Sequence, residues 1–269
     1  MDHGPWRVLA TFLAVVPAIF AATWVALGIL KSIYPDVPNQ ALIESLPGLL
    51  ALSLAASFAL IFMVVFVVQP TSPAAIRLAP GWETGRALAV MVLGILALGQ
   101  ALDSFTYAVG LADRGTLALA RRVLTGAVGP DLFGAVLVFG FLAGAAEELF
   151  FRGYMQTRLR QAWGGARAVV ATSACFGVLH LDPGIHSALA FAMGLYLGFV
   201  VERTGSVLPA MVCHVVNNIV ATLQTALGGT IEDRATNAVV AAVCALLFAL
   251  CLAWLQRAEP SAPPAPPSV

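Results

Sequence analysis

The sequence predicts an all-α, polytopic transmembrane helical bundle of about eight spans. Three observations predict it. Hydrophobic residues make up 60% of the 269-residue chain and charged residues only 10%, against roughly 25% charged in soluble domains. The apolar residues gather into runs close to the roughly 20 residues that a bilayer-spanning helix needs. Turn and breaker residues fall between those runs.

The first run, Val8–Leu30, has one arginine before it and no convincing small-residue cleavage site after it, so it reads as a retained anchor. Leu46–Val68 and Ala87–Leu102 are the second and third spans. The stretch LADRGTLALARRVLTGAVG that follows is too polar to cross. Its leucines and arginines suit an amphipathic helix on the bilayer surface or a plain loop. The fourth span is Leu132–Phe151, the fifth Ala166–Leu181 and the sixth Ile185–Val201. The last two are short and joined by the turn sequence Asp182–Gly184, which predicts a tight helical hairpin. Val207–Leu227 and Ala235–Leu255 complete the set. The tail EPSAPPAPPSV is Pro-rich, lacks apolar bulk and is expected to be disordered. The chain thus divides into N-terminal helices with a connecting segment (1–130), a helical core (131–228), a C-terminal helix (229–258) and a tail (259–269).

A formal net charge of zero argues against a nucleic-acid partner; the bilayer is the partner that composition implies. Thirteen of the 14 basic residues are arginine, which fits a bacterial source. Basic residues near span ends set orientation. With Arg152 set aside, one side collects Arg7, Arg77, Arg86, Arg158, Arg160, Arg167, Arg203 and Arg257, the other Lys31, Arg114, Arg121, Arg122 and Arg234. The larger set favours both termini in the cytoplasm. Cys175, Cys213, Cys244 and Cys251 lie in apolar runs without CxxC spacing, so they read as small buried hydrophobes rather than a disulfide framework or zinc knuckle.

A charged side chain at mid-bilayer costs roughly 2.5–3.5 kcal/mol on insertion scales, so such residues usually face a cavity and mark function. Three segments break the apolar pattern in this way. In EELFFRG, Glu148 and Arg152 are four apart, share a helix face and suit an ion pair. Glu147 points about 100° away and stays available for chemistry; the competing reading is a charged helix end at the interface. FGVLH places Phe176 and His180 in the fifth span, where a lone histidine is more often a packing residue. HVVNN puts His214 and Asn218 on one face of the seventh span. Asn217 points elsewhere and suits a bond to a neighbouring helix. Together the three segments supply a general base, a second acid–base group and hydrogen-bond donors, the inventory for activating water and stabilising an oxyanion. No Ser–His or Cys–His nucleophile pair is evident, so water is the better nucleophile.

EELFFRG, FGVLH and HVVNN resemble the ordered motifs EExxxR, FxxxH and HxxxN of the CPBP family, the type II CAAX prenyl endopeptidases and their bacterial relatives, including bacteriocin-processing and abortive-infection proteins. The resemblance covers about Leu132 to Leu227, with no departure at the motif positions. It implies an intramembrane endopeptidase acting on a membrane-associated peptide or protein, with no required cofactor. By that resemblance, Glu147 and His180 would hold and deprotonate the attacking water. His214 and Asn218 would form the oxyanion hole. Glu148 and Arg152, with Phe176, would support the site. A zinc site with Glu147, His180 and His214 as ligands is the alternative, since two histidines and a carboxylate leave an open position for water. A proton-coupled transporter would call for two matching, broken-helix halves, and none is visible. An idle immunity protein on the same fold would call for a lost motif residue, and none is lost.

Overall fold

Each apolar run becomes a helix, and the polar residues inside the runs decide where the helices meet. A computed structural model describes residues 4–81, 85–180, 185–229 and 231–258. The expected turn at 182–184 and the Pro-rich tail lie outside the described residues. Among these residues are ten helices and no strand: α1 (Pro5–Ile33), α2 (Asn39–Ile43), α3 (Leu46–Val68), α4 (Arg86–Ala108), α5 (Gly115–Leu124), α6 (Gly129–Trp163), α7 (Gly165–Leu179), α8 (Ile185–Thr204), α9 (Leu208–Ala226) and α10 (Arg234–Arg257).

Start signals are local. Ser45 Oγ accepts from the Gly48 N–H ahead of α3. Asp233 caps α10, accepting from Thr236 Oγ1 at 2.6 Å and Thr236 N–H at 2.7 Å, bonds that hold its carboxyl below the ordinary value. Proline occupies the first turn of α1, α3, α6 and α9, where its missing N–H removes no helical bond.

Among the described residues, six helices are long and apolar enough to cross a membrane: α1, α3, α4, α6, α8 and α10. The expected count of eight is therefore not confirmed. α7 has 15 residues and rises about 22 Å, short of the roughly 30 Å hydrocarbon layer. α9 has 19 residues, but His214, Asn217, Asn218 and Gln224 dilute its apolar character. The fourth span is also longer than expected. α6 runs 35 residues without a break, so the double glutamate lies in mid-helix and not at an end. The connecting segment is helical where a loop was an equal alternative: α5 carries Arg121, which donates to the Ala112 carbonyl and pairs with Asp103 of α4.

Two cores form. Phe12, Met63, Phe150, Phe151, Met155 and Phe176 knit α1, α3, α6 and α7. Met91, Ile95, Leu197, Cys213 and Leu255 knit α4, α8, α9 and α10. Tyr196 joins α8 to α4 by donating to the Met91 carbonyl at 2.9 Å. The outer faces stay apolar: Phe20, Trp24, Val239, Leu246 and Leu250 are all exposed. A soluble protein seldom leaves so continuous an apolar surface uncovered; on these helices it faces lipid, and the protein is integral to the membrane. All four cysteines are free, as their spacing predicts.

Candidate active site

The site forms at the seam between the two cores, where α6, α7, α8 and α9 meet. α6 is not a uniform α-helix. Two π-helical stretches, Val136–Ala143 and Leu149–Gln156, flank the α-turn Gly144–Glu148. Such wide turns interrupt the regular ladder and recur at functional sites. Side chains cover a carbonyl in each stretch: Asn218 Nδ2 donates to Phe139 O at 3.2 Å, and Thr157 Oγ1 donates to Arg152 O at 3.0 Å. Lipid offers no donor that could do this. α9 approaches α6 closely because Gly140 and Gly144 face it. A Cβ on Gly140 would stand 2.7 Å from Ile219 Cγ1, and one on Gly144 3.3 Å from the Val215 backbone nitrogen.

The two adjacent glutamates are treated differently. Glu148 is fully buried and its Oε1 accepts twice, from Arg152 Nη1 at 2.7 Å and from His214 Nδ1 at 2.9 Å. The expected Glu148–Arg152 pair is thus formed, and it is not an interfacial helix end, because Arg152 is 0% exposed. Arg152 Nη2 donates to Gly194 O of α8 at 3.2 Å, and its guanidinium stacks 4.6 Å from the Phe176 ring centroid. Gly194 permits that approach, since a Cβ there would lie 3.2 Å from Arg152 Nη2. Glu147 keeps a side chain 20% exposed, with Oε2 3.7 Å from His214 Nε2. That distance is too long for a hydrogen bond, but it sets both glutamates against one imidazole.

Phe176 is the packing centre of this group. Its ring meets His180 at 4.6 Å and His214 at 5.9 Å, edge-on in both cases. His180 is not inside its helix as expected. It is the residue that ends α7, with helical bonding stopped at Leu179. Because α7 is short, that end lies at the level of the site. His180 Nδ1 donates to Phe176 O at 2.8 Å, so in the neutral ring Nε2 is left as the acceptor.

Asn218 faces α6, as its spacing from His214 predicts, but its amide donates to the Phe139 carbonyl and does not share a target with His214. Asn217 turns toward α4: its Nδ2 contacts Asn218 Oδ1 at 3.4 Å, and its Oδ1 packs on Gly99. Sequence reasoning passed over His186. Its ring stands 4.7 Å from that of His180, and its Nδ1 bonds Thr116 Oγ1 of α5 at 2.9 Å. The signal was the short 181–184 connection, since α7 and α8 pack together and bring the residues that flank it close. Among the described residues, no group of three or more His, Cys, Asp or Glu is placed to hold a metal ion.

No curated protein matches the chain. A family model does: residues 129–220 match the family described as Type II CAAX prenyl endopeptidase Rce1-like. The matched stretch begins with α6 and reaches Val220, so it contains Glu147, Glu148, Arg152, Phe176, His180, His214 and Asn218. The match spans residues 129–220, with the whole site inside them, and supports the CPBP family that the three motifs resemble.

Proposed function

We propose that the protein is an intramembrane endopeptidase that hydrolyses a peptide bond of a membrane-associated peptide or protein with an activated water. The observation that carries this reading is the unequal pair of glutamates. Arg152 and His214 occupy Glu148, whereas Glu147, one residue away, keeps an accessible carboxylate. A carboxylate that must accept a proton from water needs access and a free oxygen, and Glu147 has them.

In this reading Glu147 takes the proton of the attacking water, with His180 Nε2 as the second acceptor that orients it. The water's oxygen bonds to the scissile carbonyl carbon, and the carbonyl oxygen takes the negative charge. His214 and Asn218 stabilise that charge. The Asn218 amide has a second N–H beyond the one spent on Phe139. His214, whose Nδ1–H is spent on Glu148, donates to the oxyanion through Nε2–H, which requires the doubly protonated ring in this step. Collapse of the intermediate breaks the C–N bond, and the proton held on Glu147 passes to the leaving amine. Arg152 and Glu148 act through His214, as positioning residues. His186, tied to Thr116, is a further positioning residue that backs the His180 ring. The orientation proposed is the one the basic residues favour, with both termini cytoplasmic in a bacterial membrane.

The test is substrate discovery with the purified protein. Membrane extracts incubated in nanodiscs with the wild type would gain new peptide termini that extracts incubated with Glu147→Ala lack. Identical termini in both would refute the assignment.

A further inference from the structure

A second site lies further along α6 than the chemistry, at Tyr154 and Arg158, between α1, the end of α3 and α6. We propose that this groove binds an anionic phospholipid, with its phosphate between Arg7 and Arg158 and an acyl chain along the apolar floor. The groove has a volume of about 380 Å³, within the range of roughly 300–1,000 Å³ typical of small-molecule sites. Ala10, Ala14, Met63 and Val67 supply the floor, and the only charges in its lining are the two arginines.

Folding has brought two cations to one apolar groove with no counter-charge beside either among the described residues. Among the described residues neither arginine forms an ion pair. The Arg158 Nε is buried without a hydrogen-bond partner. A guanidinium that is partly out of water and unpaired is costly, and a second one beside it adds repulsion. An anion between them removes both penalties, and a phosphate matches the planar, multi-donor guanidinium.

Depth selects the source of that phosphate. Arg7 sits in the first turns of α1 and Val67 in the last turn of α3, so the charged end of the groove is at helix ends, where headgroups lie. Trp6, the neighbour of Arg7, is 77% exposed, as tryptophans at the membrane–water boundary commonly are. Below the arginines the floor is apolar, which suits an acyl chain and not a free ion. Basic pockets between transmembrane helices recognise anionic headgroups by this combination. On the inner wall, Tyr154 donates to Thr11 Oγ1 at 3.1 Å, linking α1 to the helix that carries Arg152 two residues earlier.

The experiment is native mass spectrometry of the protein released from nanodiscs of phosphatidylcholine containing phosphatidylglycerol. Each arginine near the surface is worth about fivefold in affinity for anionic lipid, so the pair should favour phosphatidylglycerol about 25-fold. Arg7→Gln and Arg158→Gln should each lose about fivefold, and the double variant should retain both lipids equally. Ala14→Phe, which fills the floor, should lower retention without changing charge. Arg7 is exposed and makes no ion pair among the described residues, so Arg7→Gln alone decides the matter if Arg158→Gln fails to fold. Equal retention of both lipids by the wild type, or an unchanged preference in Arg7→Gln, would overturn the proposal. So would inorganic phosphate competing as well as phosphatidylglycerol, which would make this an ion site.

Discussion

Replacing Arg152 with methionine isolates what holds the site together. The side chain is fully buried and bridges three elements: Glu148 of its own helix at 2.7 Å, the Gly194 carbonyl of α8 at 3.2 Å and the Phe176 ring of α7 at 4.6 Å. Methionine keeps much of the volume but leaves the Glu148 charge buried. Breaking a buried ion pair from one side costs about 3–5 kcal/mol, a large share of the roughly 5–15 kcal/mol that stabilises most domains. The pair is incompletely satisfied, because Glu148 Oε2 and Arg152 Nε have no partner among the described residues. Removing the charge from both sides should therefore cost less. Glu148→Gln combined with Arg152→Met keeps an acceptor for His214 Nδ1 and should recover about 1–3 kcal/mol of the single-variant loss. Reversible denaturation in mixed micelles measures all four corners of this cycle. A single Arg152→Met variant as stable as the wild type, or a double variant whose cost equals the sum of the singles, would refute the reasoning.

Other perturbations separate the remaining roles. Asn218→Ala should lower kcat by about 100- to 1,000-fold with little change in KM, because an oxyanion donor acts on the transition state. Asn217→Ala, on the α4 side, should be mild, and steady-state kinetics would reveal a reversal. Gly144→Val should force α9 away from α6 and lower both the melting temperature and the turnover, measured together in detergent. Chelation with EDTA should leave turnover unchanged if Glu147 and His180 act on water directly; loss restored by zinc would favour the metal alternative. Asp233 offers a pH test outside the spans. Its carboxyl is held low in the folded chain, so its cap should be fully present above the unfolded value near pH 3.9 and should fade as pH falls through the folded value. Hydrogen exchange in the first turn of α10 should then speed up below about pH 3.9 in the wild type relative to Asp233→Asn, which has no such titration.

The sequence made the elements and the motif pairs legible because both are local. Apolar runs mark helices, and spacing of four places Glu148 beside Arg152 and puts His214 and Asn218 on one face of α9. It could not reveal how the helices meet. The π-helical turns of α6 have no sequence signature of their own, so neither the Asn218 bond to Phe139 nor the length of α6 was legible. His180 was expected inside a span because the apolar run continues to Leu181, yet α7 ends at Leu179, one residue before His180. His214 between two glutamates is a contact across 66 residues, set by Gly140 and Gly144 letting α9 approach. His186 was passed over as one polar residue opening an apolar run; only the hairpin places it against His180.

Turnover of Glu147→Gln in nanodiscs, on a substrate found by terminal sequencing, bears most directly on whether Glu147 is the base. Glutamine preserves the shape of the side chain and its contact with His214, and removes only its ability to take a proton. The expected result is a loss of at least about 100-fold in kcat with an unchanged melting temperature, because Glu147 is partly exposed and makes no ion pair closer than 3.7 Å. Turnover within tenfold of the wild type would contradict the assignment and move the base to another residue.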